Sequence, residues 1–108
     1  MSWIDLLRTL LGPEDPVASH LEPRIDAASQ LWDLSSIRGC NKLLVHLHIV
    51  EIITTVLRSV GNNTDRICAR PELLSRFLEV LAGILANVAI FPEGLDKILH
   101  QARYFSKF

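Results

Sequence analysis

Ile49-Val50-Glu51-Ile52-Ile53-Thr54-Thr55-Val56-Leu57-Arg58-Ser59-Val60 is the stretch that decides between helix and sheet. By composition it suits a strand, because Ile, Val and Thr are stiff at χ1 and favour extended backbone. Its apolar spacing says otherwise. Ile49, Ile52, Ile53, Val56, Leu57 and Val60 fall at i, i+3, i+4, i+7, i+8 and i+11, one stripe of a helix, and period-two alternation fails. Burying a continuous stripe outweighs a propensity deficit of about half a kcal/mol per β-branched residue, so the spacing predicts a helix.

The same test extends outward. Gly61-Asn62-Asn63-Thr64-Asp65 is a helix stop or loop. Pro71 and Glu72 then open the longest helix, since proline fits the first turn and an acid suits its positive end. Leu74, Phe77, Leu78, Leu81, Leu85 and Val88 form one stripe, and Val80, Ile84 and Ile90 add apolar residues elsewhere on the surface. A helix apolar nearly all round is expected in the middle of a core. Phe91-Pro92-Glu93-Gly94 is expected to break it. A last helix carries Leu95, Ile98, Leu99 and Ala102 on one face, with Glu93 and Lys97 placed to pair at i,i+4.

Upstream, Asn41 is a candidate cap for a short helix through Leu47, and Ser35-Ser36 and Gly39 mark a break before it. A helix starting near Pro23 places Ile25, Ala28, Trp32 and Ser35 on one face. Gly12-Pro13-Glu14-Asp15-Pro16 ends a first amphipathic helix capped by Ser2. With no hairpin or strand-pair signal, the expected fold is all-α, with five or six helices in one domain spanning residues 1–108. Residues 1–22 supply an N-terminal helix and linker, and 23–108 the core.

Composition agrees and narrows the function. Leu, Ile, Val and Phe make up 39 of 108 residues, well above the level at which disorder is expected. Eleven basic and twelve acidic residues nearly cancel, which argues against nucleic-acid binding through a broad basic face. Val80 to Phe91 is the longest apolar stretch, and twelve residues fall short of the roughly 20 that cross a bilayer. Asp5 and Arg8 interrupt the N-terminal apolar run, which therefore does not read as a signal peptide. The chain is expected inside the cell, with Cys40 and Cys68 reduced and the Asn62-Asn63-Thr64 sequon a chance match.

Residues with chemical potential are few. His46 and His48 lie about 200° apart on a helix and cannot chelate one metal together, although His20 and His100 are possible additions from elsewhere. Cys40 and Cys68 lack a companion motif for nucleophilic catalysis. Asp33, Glu51 and Glu79 show no pairing suited to acid–base work, and the glycines form no phosphate loop. No catalytic residue, metal or cofactor is expected. Trp32 is expected in the core. Asn87, the only polar side chain in the Val80–Phe91 run, is expected either to tie down a neighbouring loop or to bind the backbone of an extended peptide in a groove.

A helix, a loop and a long helix ending in Gly83-Ile84-Leu85-Ala86-Asn87-Val88-Ala89 resemble an armadillo repeat, a unit that stacks into a solenoid. Three blocks in order, Leu31-Trp32-Asp33-Leu34-Ser35, Ile49-Val50-Glu51-Ile52-Ile53 and Gly83-Ile84-Leu85-Ala86-Asn87 preceded by Glu79, resemble the N-terminal armadillo-like region of the serum-amyloid-A-like protein 1 family. The resemblance spans roughly residues 26 to 93. It implies a non-enzymatic nuclear or cytoplasmic protein linked to promotion of cell proliferation. Armadillo proteins that bind nuclear-localisation peptides carry a tryptophan where this chain has Gly83, so import-receptor activity is not expected.

The sequence expectation is thus a protein-interaction module with Asn87, Gly83, Leu99 and Phe105 as candidate partner-binding residues. A small enzyme using Cys40 or Cys68 with a histidine, and a self-assembling helical bundle, are the alternatives. Leu95, Ile98, Leu99 and Ala102 lead into Tyr104, Phe105 and Phe108, an apolar ending unlike the polar cap of a solenoid, which points to a homo-oligomer formed through the C-terminal helix.

Overall fold

The computed structural model describes residues 2–12, 21–62 and 71–105. Six helices are formed among them: α1 (Trp3–Leu11), α2 (Leu21–Ser35), α3 (Cys40–His46), α4 (Ile49–Asn62), α5 (Pro71–Val88) and α6 (Pro92–Phe105), with no strand. The all-α expectation holds. His20, Cys68, Asn63, Thr64 and Phe108 lie outside the described residues, as do the side chains of Asn62, Tyr104 and Phe105.

The Ile49 stripe behaves as its spacing requires. Ile49, Val50, Ile53, Val56 and Val60 are buried, and Ile52 and Leu57 pack on the core from its edge. The buried Thr54 hydroxyl donates to the Val50 carbonyl at 2.8 Å, so this inward-turned polar side chain is satisfied within its own turn. His48, at φ 67°, separates α3 from α4 and lets their axes diverge by 65°. Such a left-handed residue ends one helix and starts the next without a long loop. α1 begins as its cap predicts, with Ser2 Oγ accepting from Asp5 N at 3.2 Å.

α2 runs from Leu21, two residues before Pro23 and near the expected start. Two local expectations are corrected. Gly39, not Asn41, is the N-cap of α3, and Asn41 Oδ1 instead accepts from the next backbone amide, Lys42 N, at 2.9 Å. The expected break around Phe91-Pro92-Glu93-Gly94 is found: α5 ends at Val88, and Pro92, Glu93 and Gly94 form the first turn of α6, where proline is best accommodated. α5 is not buried all round. Phe77, Val80, Leu81, Ile84 and Val88 form its buried stripe, whereas Leu78, Glu79, Ala82 and Ala86 are exposed. The stripe lies between the two apolar sets read from sequence, and the tertiary contacts choose it.

The body measures 37 × 36 × 21 Å, and its thin dimension matches two layers of helices about 10 Å across. α2 packs chiefly on α5 and on α1, while α1 also reaches α4. α6 rests mainly on α4, with lesser contacts to α3 and α5.

Arg24 holds the end of α1. Its side chain is buried and its Nη2 donates to the Leu11 carbonyl at 2.8 Å, so a cation sits at the negative end of α1. Burial pushes the Arg24 guanidinium below its usual pKa, since desolvation penalises the charged form. Gly12, the C-cap of α1, has φ 63° and ψ −170°, a region open only to glycine, and a Cβ there would overlap the guanidinium. Arg24→Met, which keeps an apolar stem, is expected to cost about 1–2 kcal/mol by loss of the charge-assisted hydrogen bond, and Arg24→Ala about 2–4 kcal/mol because packing is lost as well. Urea midpoints check both. Equal losses would show that the hydrogen bond, and not the stem, carries the effect.

Candidate functional site

Two places bring together the residues singled out from sequence. The first is the seam between α2 and α5. Trp32 is half-buried with its indole ring lying on Gly83, where a Cβ would overlap the ring. One turn further along α5, Asn87 Nδ2 donates to Ser35 Oγ at 2.9 Å, and Ser35 Oγ donates to the Trp32 carbonyl at 2.7 Å. The Asn87 carbonyl accepts a long 3.5 Å contact from Asn41 Nδ2 on α3. Gly83 and Asn87 therefore turn towards α2, where one admits an aromatic ring and the other bonds a buried hydroxyl. The Gly-x-x-x-Asn spacing is one helical turn, so both groups meet the same neighbour. Asn87 ties α5 to the last residue of α2, a side-chain partner where the sequence suggested a loop or a peptide backbone.

Asn87→Leu is expected to lower stability by about 1 kcal/mol and no more. The loss is small because Ser35 keeps its own acceptor in the Trp32 carbonyl, so no donor is left orphaned. A urea-midpoint shift equivalent to more than about 3 kcal/mol would contradict this arrangement.

The second place is α6. Gly94 is buried, and Ile98 packs on the core from its margin. Leu95 and Leu99, one turn apart, are 42% and 49% exposed, and Ala102 is also exposed. α6 is thus apolar on its docked side and again on an outer strip. Ile90, in the turn before it, is 78% exposed. The helix starts acidic at Glu93 and ends basic at Arg103.

The histidines work separately. His46 Nε2 lies 3.8 Å from Glu93 Oε2 on α6, and His48 Nδ1 lies 2.6 Å from Glu51 Oε2. Glu51 Oε1 also faces Lys97 Nζ at 3.9 Å. Glu93 and Lys97, expected to pair within α6, instead reach across to α3 and α4, because α6 lies with both residues over those helices. Glu51, which looked unpaired in the sequence, is the carboxylate shared between the start of α4 and α6. His100 joins His48, Glu51, Asp96 and Lys97 in lining an open depression of about 490 Å³ between α4 and α6. Among the described residues no three His, Cys, Asp or Glu side chains converge to hold a metal ion. Cys40 is a free, half-buried thiol in the first turn of α3.

Sequence reasoning passed over Arg24. Its only trace is a basic residue in the early part of a helix that follows a Gly-Pro stop, a pattern too common to stand out. No single helix among the described residues is long and apolar enough to cross a membrane. Comparison with protein-family models, with curated proteins and with solved structures finds no match.

Proposed function

We propose that this chain is a non-enzymatic, armadillo-like interaction module that works by protein contact, with the outer strip of α6 as its contact surface and a second copy of itself as the occupant. The observation that carries this reading is the pair Leu95 and Leu99, both more than two-fifths exposed on a helix whose other side is already docked. Adjacent exposed leucines of this kind mark interfaces when a polar rim surrounds them. The rim here is self-complementary. Exposed Asp96 and Arg103 lie on the Leu99 side of α6 and set opposite charges against each other when two copies of α6 pair antiparallel about a two-fold axis. Gly83 and Asn87 serve this surface indirectly, by holding α5 against α2. The resemblance to the serum-amyloid-A-like protein 1 family supports an interaction role in the nucleus or cytoplasm connected with cell proliferation.

Light scattering on the purified chain is expected to show a rise from monomer to dimer across the micromolar range. Leu99→Glu and Leu95→Glu are expected to weaken that association at least about tenfold, since each sets a charge into a buried apolar strip. Arg8→Glu, at an exposed position of α1, is expected to leave it unchanged. A monomer throughout that range, or a dimer indifferent to both leucines, would overturn the reading.

A further inference from the structure

The outer side of the α1–α2 hairpin carries a trough that neither helix fills. Trp3, Leu6, Asp33, Leu34 and Ile37 line one half, of about 310 Å³. Thr9, Pro23, Asp26 and Ala27 line the other, of about 250 Å³. Gln30 lines both, so the two depressions are neighbours along α2. From Pro23 to Leu34 the α2 side runs eleven residues, about 16 Å or three helical turns. The floor is apolar, built from buried Leu6 and Ala27 with half-buried Trp3 and Leu34.

The charged side chains described along this trough, Asp26 and Asp33, are both acidic and both exposed. They stand seven residues apart, on one side of α2 and about 10 Å from each other along its axis. Neither carboxylate has an ion-pair or hydrogen-bond partner among the described residues. Two neighbouring depressions spaced along three turns of α2, each edged by one of two unengaged carboxylates at heptad spacing, match one kind of occupant. We infer that the α1–α2 trough docks an amphipathic helix of another protein, with an apolar stripe on the floor and lysine or arginine at i and i+7 against Asp26 and Asp33. The chain's own linker Pro13–His20 has the wrong chemistry for this place, since it carries Glu14 and Asp15 and no lysine or arginine.

The probe is a fluorescein-labelled 18-residue helical peptide of leucine, alanine and lysine, with leucines at i, i+3, i+4 and i+7 and flanking lysines seven apart. Its partner probe has glutamate at every lysine. Fluorescence anisotropy with the full chain is expected to show saturable binding of the lysine peptide at micromolar to tens of micromolar concentration, and binding of the glutamate peptide at least about tenfold weaker. The double variant Asp26→Lys/Asp33→Lys is expected to reverse this preference. Both positions are exposed, and circular dichroism will confirm that the variant keeps its helices. Leu99→Glu is expected to leave lysine-peptide binding unchanged, which separates this trough from the α6 strip. Failure to bind up to about 200 μM (weaker than about −5 kcal/mol), equal affinity for the two peptides, an unaltered preference in the double variant, or loss of binding in Leu99→Glu would each overturn the inference.

Discussion

Phe77→Ala is expected to destabilise the chain by about 3–5 kcal/mol, the range for removing a fully buried aromatic side chain. Phe77 is 0% exposed and stands first among the largest fully buried side chains. It lies on α5, which packs chiefly on α2, and close packing lets the cavity left by the ring collapse only in part. A loss of this size is a large share of the 5–15 kcal/mol typical of a single domain. Urea unfolding followed by circular dichroism measures it, and a midpoint shift equivalent to less than about 1 kcal/mol would mean that Phe77 is not at the centre of the core.

Trp32→Ala is expected to cost about 2–4 kcal/mol, below the fully buried range because the ring keeps one side in solvent. The more telling measurement couples it to Gly83. Alanine is the better helix former by about 1 kcal/mol, so Gly83→Ala on an isolated helix would stabilise. Here the new methyl enters the space of the Trp32 ring. The ring must leave its seat, and Gly83→Ala is expected to lower stability by about 1–2 kcal/mol. With Trp32 already replaced by alanine the same change is expected to raise stability by up to about 1 kcal/mol. The resulting coupling of about 2–3 kcal/mol lies well above the deviation seen for independent sites. Additive effects would show that Trp32 and Gly83 do not touch.

Legibility differed from residue to residue for definite reasons. The Ile49 helix was readable because six apolar positions repeat along one strip, and only burial of that strip explains them. The α5 surface was harder. Leucine and isoleucine occur on several of its faces, so periodicity allowed more than one buried stripe, and packing against α2 selected Phe77, Val80, Leu81, Ile84 and Val88. Asn87 stood out as a polar residue in an apolar run, but its partner Ser35 lies 52 positions away, and sequence spacing does not carry that distance. Glu93 and Lys97 illustrate the opposite error. Their i,i+4 spacing favours a local pair, yet a helix lying across two others offers each a different partner.

The sequence by itself determined the helices, because propensity, capping and hydrophobic period are properties of neighbours along the chain. It determined that Ser2 begins α1, that Pro71 begins α5 and that the stripe from Ile49 to Val60 turns inward. The tertiary structure alone decided what those helices meet. It set Arg24 against the Leu11 carbonyl at the end of α1, Trp32 on Gly83, Glu51 between His48 and Lys97, and Leu95 and Leu99 in solvent. Each of these depends on the angle and offset at which whole helices pack, and that geometry comes from the summed fit of many side chains, not from any one stretch of sequence.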